Sequence, residues 1–225
     1  MNGLIETMKG IVLLTCLDKA FDEKLASVFI REGFWVFAMG DRPISGLTLL
    51  PLDPHEAAVL LDQKTGKLDF LLDTTDARHP KDNFTIRDGF DAEVAESSFR
   101  QNAMRPMALL EAFLPLLDRG EGKRLFYLTS AEASINETRA KGSFGYNMGK
   151  AALHQFIQMA RNKLSPSGFT FRVFDPLEKE LPPEAAAESA FNYITRRRGT
   201  ENHNPLRDDE DNLVFRDSLG RQHSW

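Results

Sequence analysis

The sequence predicts an α/β fold, namely a Rossmann-like doubly wound parallel sheet with helices on both faces, arranged as a three-layer α/β/α single domain. Short apolar runs alternate with amphipathic segments along most of the chain, and the links between them are short. This alternation is typical of repeated β-α units, which build parallel sheets covered by helices. The length of 225 residues and the apolar content of 42% fit one domain with a sizeable core.

Six apolar runs are predicted to form the parallel strands, and helical periodicity marks the segments between them. The strands are predicted at residues 10–15, 34–39, 47–52, 68–72, 124–129 and 169–174. The helices are predicted at residues 22–32, 55–63, 90–117, 146–164 and 185–196. Asp22 is expected to cap the first helix, and Gly33 to end it. Residues 197–211 are charged and predict a mobile loop, and residues 212–225 predict a C-terminal strand or hairpin tail.

The composition argues against several classes of protein. The net charge of −5 does not favour a broad surface for nucleic acid or anionic membranes. The longest apolar runs, such as residues 11–14, are too short to cross a bilayer. The first residues do not resemble a signal peptide, and the single Cys16 has no partner for an internal disulfide, so we expect a cytoplasmic protein. The five histidines do not pair with Cys or Asp at metal-ligand spacing, and no metal site is expected.

One pair of residues predicts acid–base chemistry. Tyr146 and Lys150 are four residues apart, which on a helix places both side chains on one face, one turn apart. A free phenol titrates near ~10, and a nearby ammonium favours the phenolate and lowers that pKa. The pair therefore predicts a tunable acid. The alternative is that the spacing arose by chance on a surface helix with a solvated lysine.

Polar residues follow several of the predicted strands. They include Thr15, Asp41, Asp53, Ser130 and Pro176. Ligands of doubly wound sheets bind beyond the carboxyl ends of the strands. These residues are therefore expected around one crevice.

The order of elements and four polar residues resemble the short-chain dehydrogenase/reductase family over roughly Met8 to Tyr193. The resemblance implies catalytic roles for Tyr146, Lys150, Ser130 and Asn102. Tyr146 would exchange a proton with the substrate oxygen, and Ser130 would hydrogen-bond the same oxygen. Lys150 would lower the pKa of the tyrosine and hold the nicotinamide ribose. Asn102 would support a water chain behind the lysine.

The resemblance also implies a nicotinamide cofactor, NAD or NADP, held by Thr15, Asp41, Asp53, Lys150 and Pro176. In that family a carboxylate at the position of Asp41 binds the adenosine ribose, which favours NAD. Asp53 matches a residue beside the adenine, and Pro176 begins the segment that holds the nicotinamide carboxamide. Both aspartates are also ordinary residues for the end of a strand.

The glycine-rich turn of that family is lost in this chain. Cys16, Ala20 and Asp22 stand where the family has its three glycines. These glycines allow the tight turn, the approach of the pyrophosphate and the close packing of helix and strand. After the fourth strand the family has Asn-Asn-Ala-Gly, whereas residues 73–76 end with Asp76 in place of that glycine, and the segment at 176–181 also departs from the family pattern. The cofactor site is therefore expected to be atypical.

Three functions remain open from the sequence. The first is an oxidoreductase that interconverts an alcohol and a carbonyl with a nicotinamide cofactor in an atypical site. The second is a non-catalytic binding or regulatory subunit that has lost dinucleotide binding. The third is a cofactor-independent proton-transfer enzyme that uses the Ser130 and Tyr146 pair. The resemblance also implies a homodimer or homotetramer, assembled through the helices predicted from Phe90 to Leu117 and from Tyr146 to Leu164.

Overall fold

The computed structural model describes residues 8–89, 91–196 and 212–225. The strands follow one another in the order β1 (Ile11–Leu14), β2 (Trp35–Met39), β3 (Leu47–Leu50), β4 (Phe70–Asp73), β5 (Arg124–Leu128), β6 (Thr170–Asp175), β7 (Phe215–Asp217) and β8 (Gln222–His223). The helices are α1 (Ala20–Arg31), α2 (Pro54–Thr65), α3 (Ala92–Phe99), α4 (Arg105–Arg119), α5 (Phe144–Leu164) and α6 (Pro183–Thr195). Short 3₁₀ turns follow β5 at Ala131–Ala133 and α5 at Ser165–Ser167.

The strands form one twisted sheet with the order β3-β2-β1-β4-β5-β6-β7-β8. Neighbouring strands from β3 to β7 are parallel, and β8 pairs antiparallel with β7. The chain reverses its direction of travel across the sheet after β3, when β4 pairs on the other side of β1. This switch point opens a crevice at the carboxyl ends of β1 and β4.

Each face of the sheet has its own hydrophobic core. On one face, residues such as Leu61 of α2, Phe113 of α4 and Ile157 of α5 pack on the strands. On the other face, Phe29 of α1 and Ala187 of α6 pack on alternate residues of the same strands. Because the strands are covered on both sides, their side chains are apolar in both directions. The predicted fold class is confirmed, with helices on both faces of a parallel sheet.

Two details of the predicted helices are wrong. The first helix begins at Ala20, two residues before the predicted cap, and Lys19 occupies the N-cap position. The long predicted helix contains a π-helical turn at Arg100–Met104 between α3 and α4. Pro106 follows this turn and has no N–H group, so the regular hydrogen-bond ladder cannot continue through it. The predicted first residue of that helix, Phe90, and the predicted mobile loop at 197–211 lie outside the described residues.

Candidate active site

The helix that carries the predicted acid starts at the carboxyl edge of the sheet. The carboxylate of Asp82 accepts hydrogen bonds from the backbone N–H groups of Gly145, at 3.2 Å, and Tyr146, at 2.7 Å. Asp82 is buried in the loop that follows β4. A carboxylate at this position satisfies N–H donors of the first turn and complements the helix dipole. Asp82 therefore fixes the start of α5, and with it the position of Tyr146.

Two glycines allow α5 to lie directly against α3 and the π turn. A Cβ atom on Gly145 would lie 2.7 Å from the Cα atom of Ala95. A Cβ atom on Gly149 would lie 3.1 Å from the Cβ atom of Asn102. Larger residues would push the helices apart. Each glycine immediately precedes one residue of the predicted acid pair, so this close packing also positions the pair.

A carboxylate contacts both members of the pair. The Tyr146 hydroxyl donates to Oδ1 of Asp76 at 2.5 Å, and the tyrosine side chain is buried. The ammonium of Lys150 lies 3.8 Å from the same oxygen. It is fully buried and donates to the carbonyl oxygens of Thr75, at 2.5 Å, and Leu128, at 2.9 Å. Lys150 therefore ties the loop after β4 to the end of β5, besides facing Asp76.

The tyrosine does not have the lowered pKa that its spacing to Lys150 predicts. Burial, followed by the charge of Asp76, raises the pKa of Tyr146 well above its ordinary value. Burial also lowers the pKa of Lys150, and Asp76 only partly offsets that effect. Although burial opposes it, the positive charges of Lys150 and Lys19 lower the pKa of Asp76 to about 2. The tyrosine is therefore a protonated donor bound to an ionised carboxylate.

A cleft of about 200 Å³ opens beside the tyrosine, and we call it the main cleft. Its lining includes Asp76, Arg78, Ser130, Tyr146, Pro176 and Lys179. The guanidinium carbon of Arg78 lies 3.7 Å from the centre of the Tyr146 ring, which is a cation–π contact. Arg78 also donates to Glu132 at 2.9 Å. Charged side chains therefore line the cleft beside the tyrosine.

Ser130 and Pro176 lie in the main cleft, as the sequence predicts. The Ser130 hydroxyl accepts a hydrogen bond from the backbone N–H of Glu132 at 3.2 Å and caps the 3₁₀ turn. Among the described residues, no hydrogen bond joins it to the Tyr146 hydroxyl. The carbonyl oxygen of Pro176 accepts from the Ser218 hydroxyl at 2.9 Å. The structure thus brings the serine to the tyrosine's cleft without pairing the two hydroxyls.

Asn102 is fully buried in the π turn and binds the loop after β4. Its Oδ1 accepts from the backbone N–H of Ala77 at 3.0 Å, and its Nδ2 donates to the Ala77 carbonyl oxygen at 2.7 Å. Nδ2 also donates to the carbonyl oxygen of Ser98 at 2.9 Å. Because Ala77 follows Asp76 directly, Asn102 is a positioning residue for that carboxylate.

The crevice beyond β1 holds Thr15 and the degenerate turn. Thr15 is buried, and its hydroxyl donates to Asp73 at 3.1 Å. A second cleft of about 270 Å³ opens here, with Thr15, Cys16, Asp22 and Asp76 in its lining. Burial, together with a hydrogen bond to Asp18, raises the pKa of the Cys16 thiol above its ordinary range. A protonated thiol is a poor nucleophile, so this arrangement favours a packing role for Cys16.

Asp22 occupies the N-terminus of α1 with its own side chain. Its Oδ2 accepts from the backbone N–H groups of Asp18 and Lys19, both at 3.0 Å. The side chain is fully buried, and burial raises its pKa to about 7 although both hydrogen bonds oppose the shift. Asp22 is the third residue of the helix, and its side chain accepts from the backbone N–H of the N-cap residue Lys19, which is one half of a capping box.

The Lys19 ammonium links three loops across the crevice. It contacts the carboxylate of Asp76 from the loop after β4. It also donates to both carboxylate oxygens of Glu178, at 3.1 Å, from the loop after β6. Lys19 itself lies in the turn after β1. The ion pairs therefore join the ends of β1, β4 and β6 between the main cleft and the second cleft.

Asp41 and Asp53 line neither of these two clefts. Asp41 is exposed beyond the end of β2. Asp53 caps α2, because its Oδ1 accepts from the backbone N–H groups of His55 and Glu56, both at 3.0 Å. The structure thus gives Asp53 a structural role and does not bring either residue to Tyr146.

Known proteins match parts of the chain in sequence. No family model matches the chain. A segment of 79 residues is 32% identical to C-signal of Myxococcus xanthus and covers 35% of this chain and 48% of that protein. A segment of 157 residues is 26% identical to an uncharacterised oxidoreductase of Schizosaccharomyces pombe and covers 62% of this chain and 61% of that protein. Both matches span less than two thirds of the relative.

Solved structures match nearly the whole chain. A protein described as a short-chain alcohol dehydrogenase, from Burkholderia multivorans, superposes with a TM-score of 0.78 at 19% identity, over 96% of this chain and 98% of that chain. The fold is that of the short-chain dehydrogenases/reductases. The NADPH-bound carbonyl reductase from chicken fatty liver superposes with a TM-score of 0.77 at 15% identity, over 97% of this chain and 99% of that one.

The short-chain dehydrogenase/reductase fold implies a dinucleotide, but the residues at its diphosphate position do not fit one as they stand. A diphosphate at this helix start needs free backbone N–H groups and no side chain in the way. Here the N–H groups of Asp18 and Lys19 are bound to Asp22, where the family has glycine. The lysine ammonium is already paired with Asp76 and Glu178. The acidic side chain of Asp22 therefore takes the N–H groups that an anion would use.

Sequence reasoning missed two groups that decide the site. In the sequence, Asp76 is distinguished only as a departure from the family pattern, and no pattern points to Asp82. Both lie in a polar loop without periodicity, 64 or more residues before the tyrosine that they bind. The one available signal was the replacement of a family glycine by the acidic Asp76.

Neither a metal-binding group nor a membrane-spanning helix is found among the described residues. No group of three or more His, Cys, Asp or Glu side chains within 8–89, 91–196 and 212–225 is placed to hold a metal ion. In the same ranges, every helix is too short or too polar to span a bilayer.

Proposed function

We propose that this chain is an oxidoreductase of the short-chain dehydrogenase/reductase type that acts on a small carbonyl compound or alcohol in the main cleft. The observation that carries the proposal is Tyr146, which lines that cleft together with Ser130 and whose hydroxyl is held by Asp76. The fold and the name of the fission yeast relative support the same class.

The proton step follows from the residues of this chain. The raised pKa keeps Tyr146 protonated at neutral pH, so it acts as the proton donor to a carbonyl oxygen. A substrate oxygen that accepts this proton has to replace Asp76 as the hydrogen-bond acceptor. The Ser130 hydroxyl lines the same cleft and is proposed as the second donor to that oxygen. A nicotinamide cofactor is the hydride source that the NADPH-bound neighbour suggests, although Asp22 fills the diphosphate position of this chain.

Turnover tests this proposal directly. We expect consumption of NADH or NADPH, at millimolar concentration, with at least one member of a panel of aldehydes and ketones. Loss of the proton donor in Tyr146→Phe is expected to lower the rate by roughly 100-fold or more. Tyr127→Phe is the matched control, since that buried hydroxyl has no hydrogen-bond partner among the described residues. An equal rate in Tyr146→Phe and the control would contradict the assignment.

A second candidate is a non-catalytic binding or regulatory subunit. It is favoured by Asp22, whose carboxylate occupies the N–H groups that a diphosphate would need. This candidate predicts no turnover by the native chain with either cofactor, even when the protein is fully folded.

The assembly is proposed to be a homodimer or homotetramer through α3, α4 and α5. An apolar groove between α3 and α5 is lined by Ala95, Phe99, Gly145 and Met148. Phe99 and Met148 are 37% and 54% exposed, which is unusual for such large apolar side chains at neighbouring positions. A second copy that presents the same face would cover them.

Light scattering measures this assembly. We expect the native chain to have at least the mass of a dimer, and Phe99→Glu with Met148→Glu to be monomeric. Val59→Glu on α2, which replaces a side chain that is 60% exposed, should keep the native mass. A monomeric native chain at micromolar concentration would overturn the proposal.

A further inference from the structure

We propose that Asp22 and Asp76 are built-in occupants of the dinucleotide site, and that they compete with the cofactor for its protein contacts. The two carboxylates come from different loops and take different contacts. Asp22 takes the backbone donors at the start of α1, and Asp76 takes the tyrosine hydroxyl and the Lys19 ammonium. This inference concerns dinucleotide binding alone and does not rest on turnover.

The start of α1 shows the first competition. An anion binds a helix N-terminus through free N–H groups that point at it. Both N–H groups that the Asp22 side chain reaches are directed at its Oδ2 atom, at 3.0 Å. A phosphate oxygen can use these donors only after the buried carboxylate leaves. The capping box explains the bond from Lys19, which is the N-cap residue, but the bond from Asp18 is additional.

The loop after β4 shows the second competition. Asp76 stands in place of the last residue, a glycine, of the family's segment after this strand. Its carboxylate is almost fully buried and lies against the Tyr146 hydroxyl, the Lys150 ammonium and the Lys19 ammonium. Asp76 therefore engages three donors of the crevice that a dinucleotide bound there could otherwise use.

The ion pairs of Lys19 connect the competition at Asp22 with the competition at Asp76. Lys19 lies next to the N–H groups that Asp22 binds, and its ammonium is held by Asp76 and Glu178. This ion pair runs between the main cleft and the second cleft, where an extended dinucleotide would have to pass. Removal of Asp76 frees the positive charge for a phosphate, and removal of Asp22 frees the backbone donors.

Calorimetric titration of the full chain with NAD⁺, NADH, NADP⁺ and NADPH tests the inference. The native chain is expected to bind each with a dissociation constant in the millimolar range or weaker. The double variant Asp22→Gly, Asp76→Gly is expected to bind at least one of them ten times or more tightly than the native chain. Asp22→Ala in place of Asp22→Gly removes the same carboxylate with a better helix former, in case the glycine variant does not fold.

Two control variants separate occupation of the donors from net charge. Glu23→Gln removes one negative charge from the same helical turn, from a side chain that is 41% exposed, and is expected to leave binding unchanged. Asp22→Asn keeps an oxygen that can accept the same N–H bonds, so it is expected to gain less than Asp22→Ala. An equal gain in Glu23→Gln, or no gain in a folded double variant, would overturn the inference.

The inference about dinucleotide binding and the proposed function can be refuted independently. Tight binding of a dinucleotide by the native chain, with turnover, would refute the inference that Asp22 and Asp76 compete with the cofactor. It would leave the proposed oxidoreductase function intact. Binding that appears only in the double variant, without turnover by the native chain, would support the occupants and favour the non-catalytic candidate.

Discussion

Replacement of Asn102 by alanine should lower the free energy of unfolding by roughly 2–3 kcal/mol. The side chain is fully buried and makes three hydrogen bonds, to the N–H and carbonyl groups of Ala77 and to the carbonyl of Ser98. Alanine leaves these backbone groups without their partner and also leaves a small cavity. Water can reach Ala77 in part, which is why the expected loss is not larger.

Urea denaturation at a fixed protein concentration measures the loss, because any assembly makes stability depend on concentration. Gln101→Ala is the matched control, since Gln101 is exposed in the same π turn. It should change the unfolding free energy by no more than ~0.5 kcal/mol. Asn102→Asp is a second test, because it keeps the acceptor for the Ala77 N–H and removes the donors to the carbonyl oxygens of Ala77 and Ser98. This variant should also be less stable than the native chain. A stable Asn102→Ala variant would show that the loop after β4 is held elsewhere.

The general architecture was accessible from the sequence because it depends on local patterns. Apolar runs such as Ile11–Leu14 are buried on both faces, and that pattern marks a parallel strand without any knowledge of its neighbours. The positions of Tyr146, Lys150, Ser130 and Asn102 followed from the order of elements. In the structure Tyr146, Lys150 and Asn102 are buried, and Tyr146 and Ser130 line the main cleft.

The electrostatics of the site were not accessible, because they depend on contacts between distant parts of the chain. The spacing of Tyr146 and Lys150 predicted a lowered pKa for the tyrosine. The structure places Asp76, which is 70 residues away in sequence, in hydrogen-bond contact with the hydroxyl. Burial and this carboxylate together outweigh the lowering effect of the Arg78 charge, while Lys150 lies 6.0 Å from the centre of the ring. Spacing on one helix cannot report a group that a loop brings from another strand.

A buried histidine should make the protein sensitive to acid. His154 lies on α5, with its Nε2 atom 2.6 Å from the Thr129 hydroxyl and its ring against Phe215 and Trp225. Burial, with a smaller contribution from the charge of Lys150, lowers its pKa to about 4 from an ordinary 6.5. Below pH 6.5 the unfolded chain binds a proton at this site while the folded chain does not, so acid favours unfolding. The difference in pKa corresponds to roughly 3 kcal/mol of stability, lost as the pH falls from 6.5 to 4.

The variant His154→Gln isolates this contribution, because glutamine can still hydrogen-bond to Thr129 and does not titrate. The raised pKa values of Asp22 and Asp175 act in the opposite direction over the same window, since their folded forms hold a proton that the unfolded chain releases. The quantity to measure is therefore the difference in unfolding free energy between the native chain and the variant at pH 7 and at pH 4.5.

We expect the free energy of unfolding of the native chain to lose its excess over that of the variant, or to fall below it, at the lower pH. His55→Gln, which replaces an exposed histidine on α2, should follow the native curve at both pH values. A native chain and His154→Gln that differ by the same amount at both pH values would show that the imidazole does not stay neutral in the folded protein.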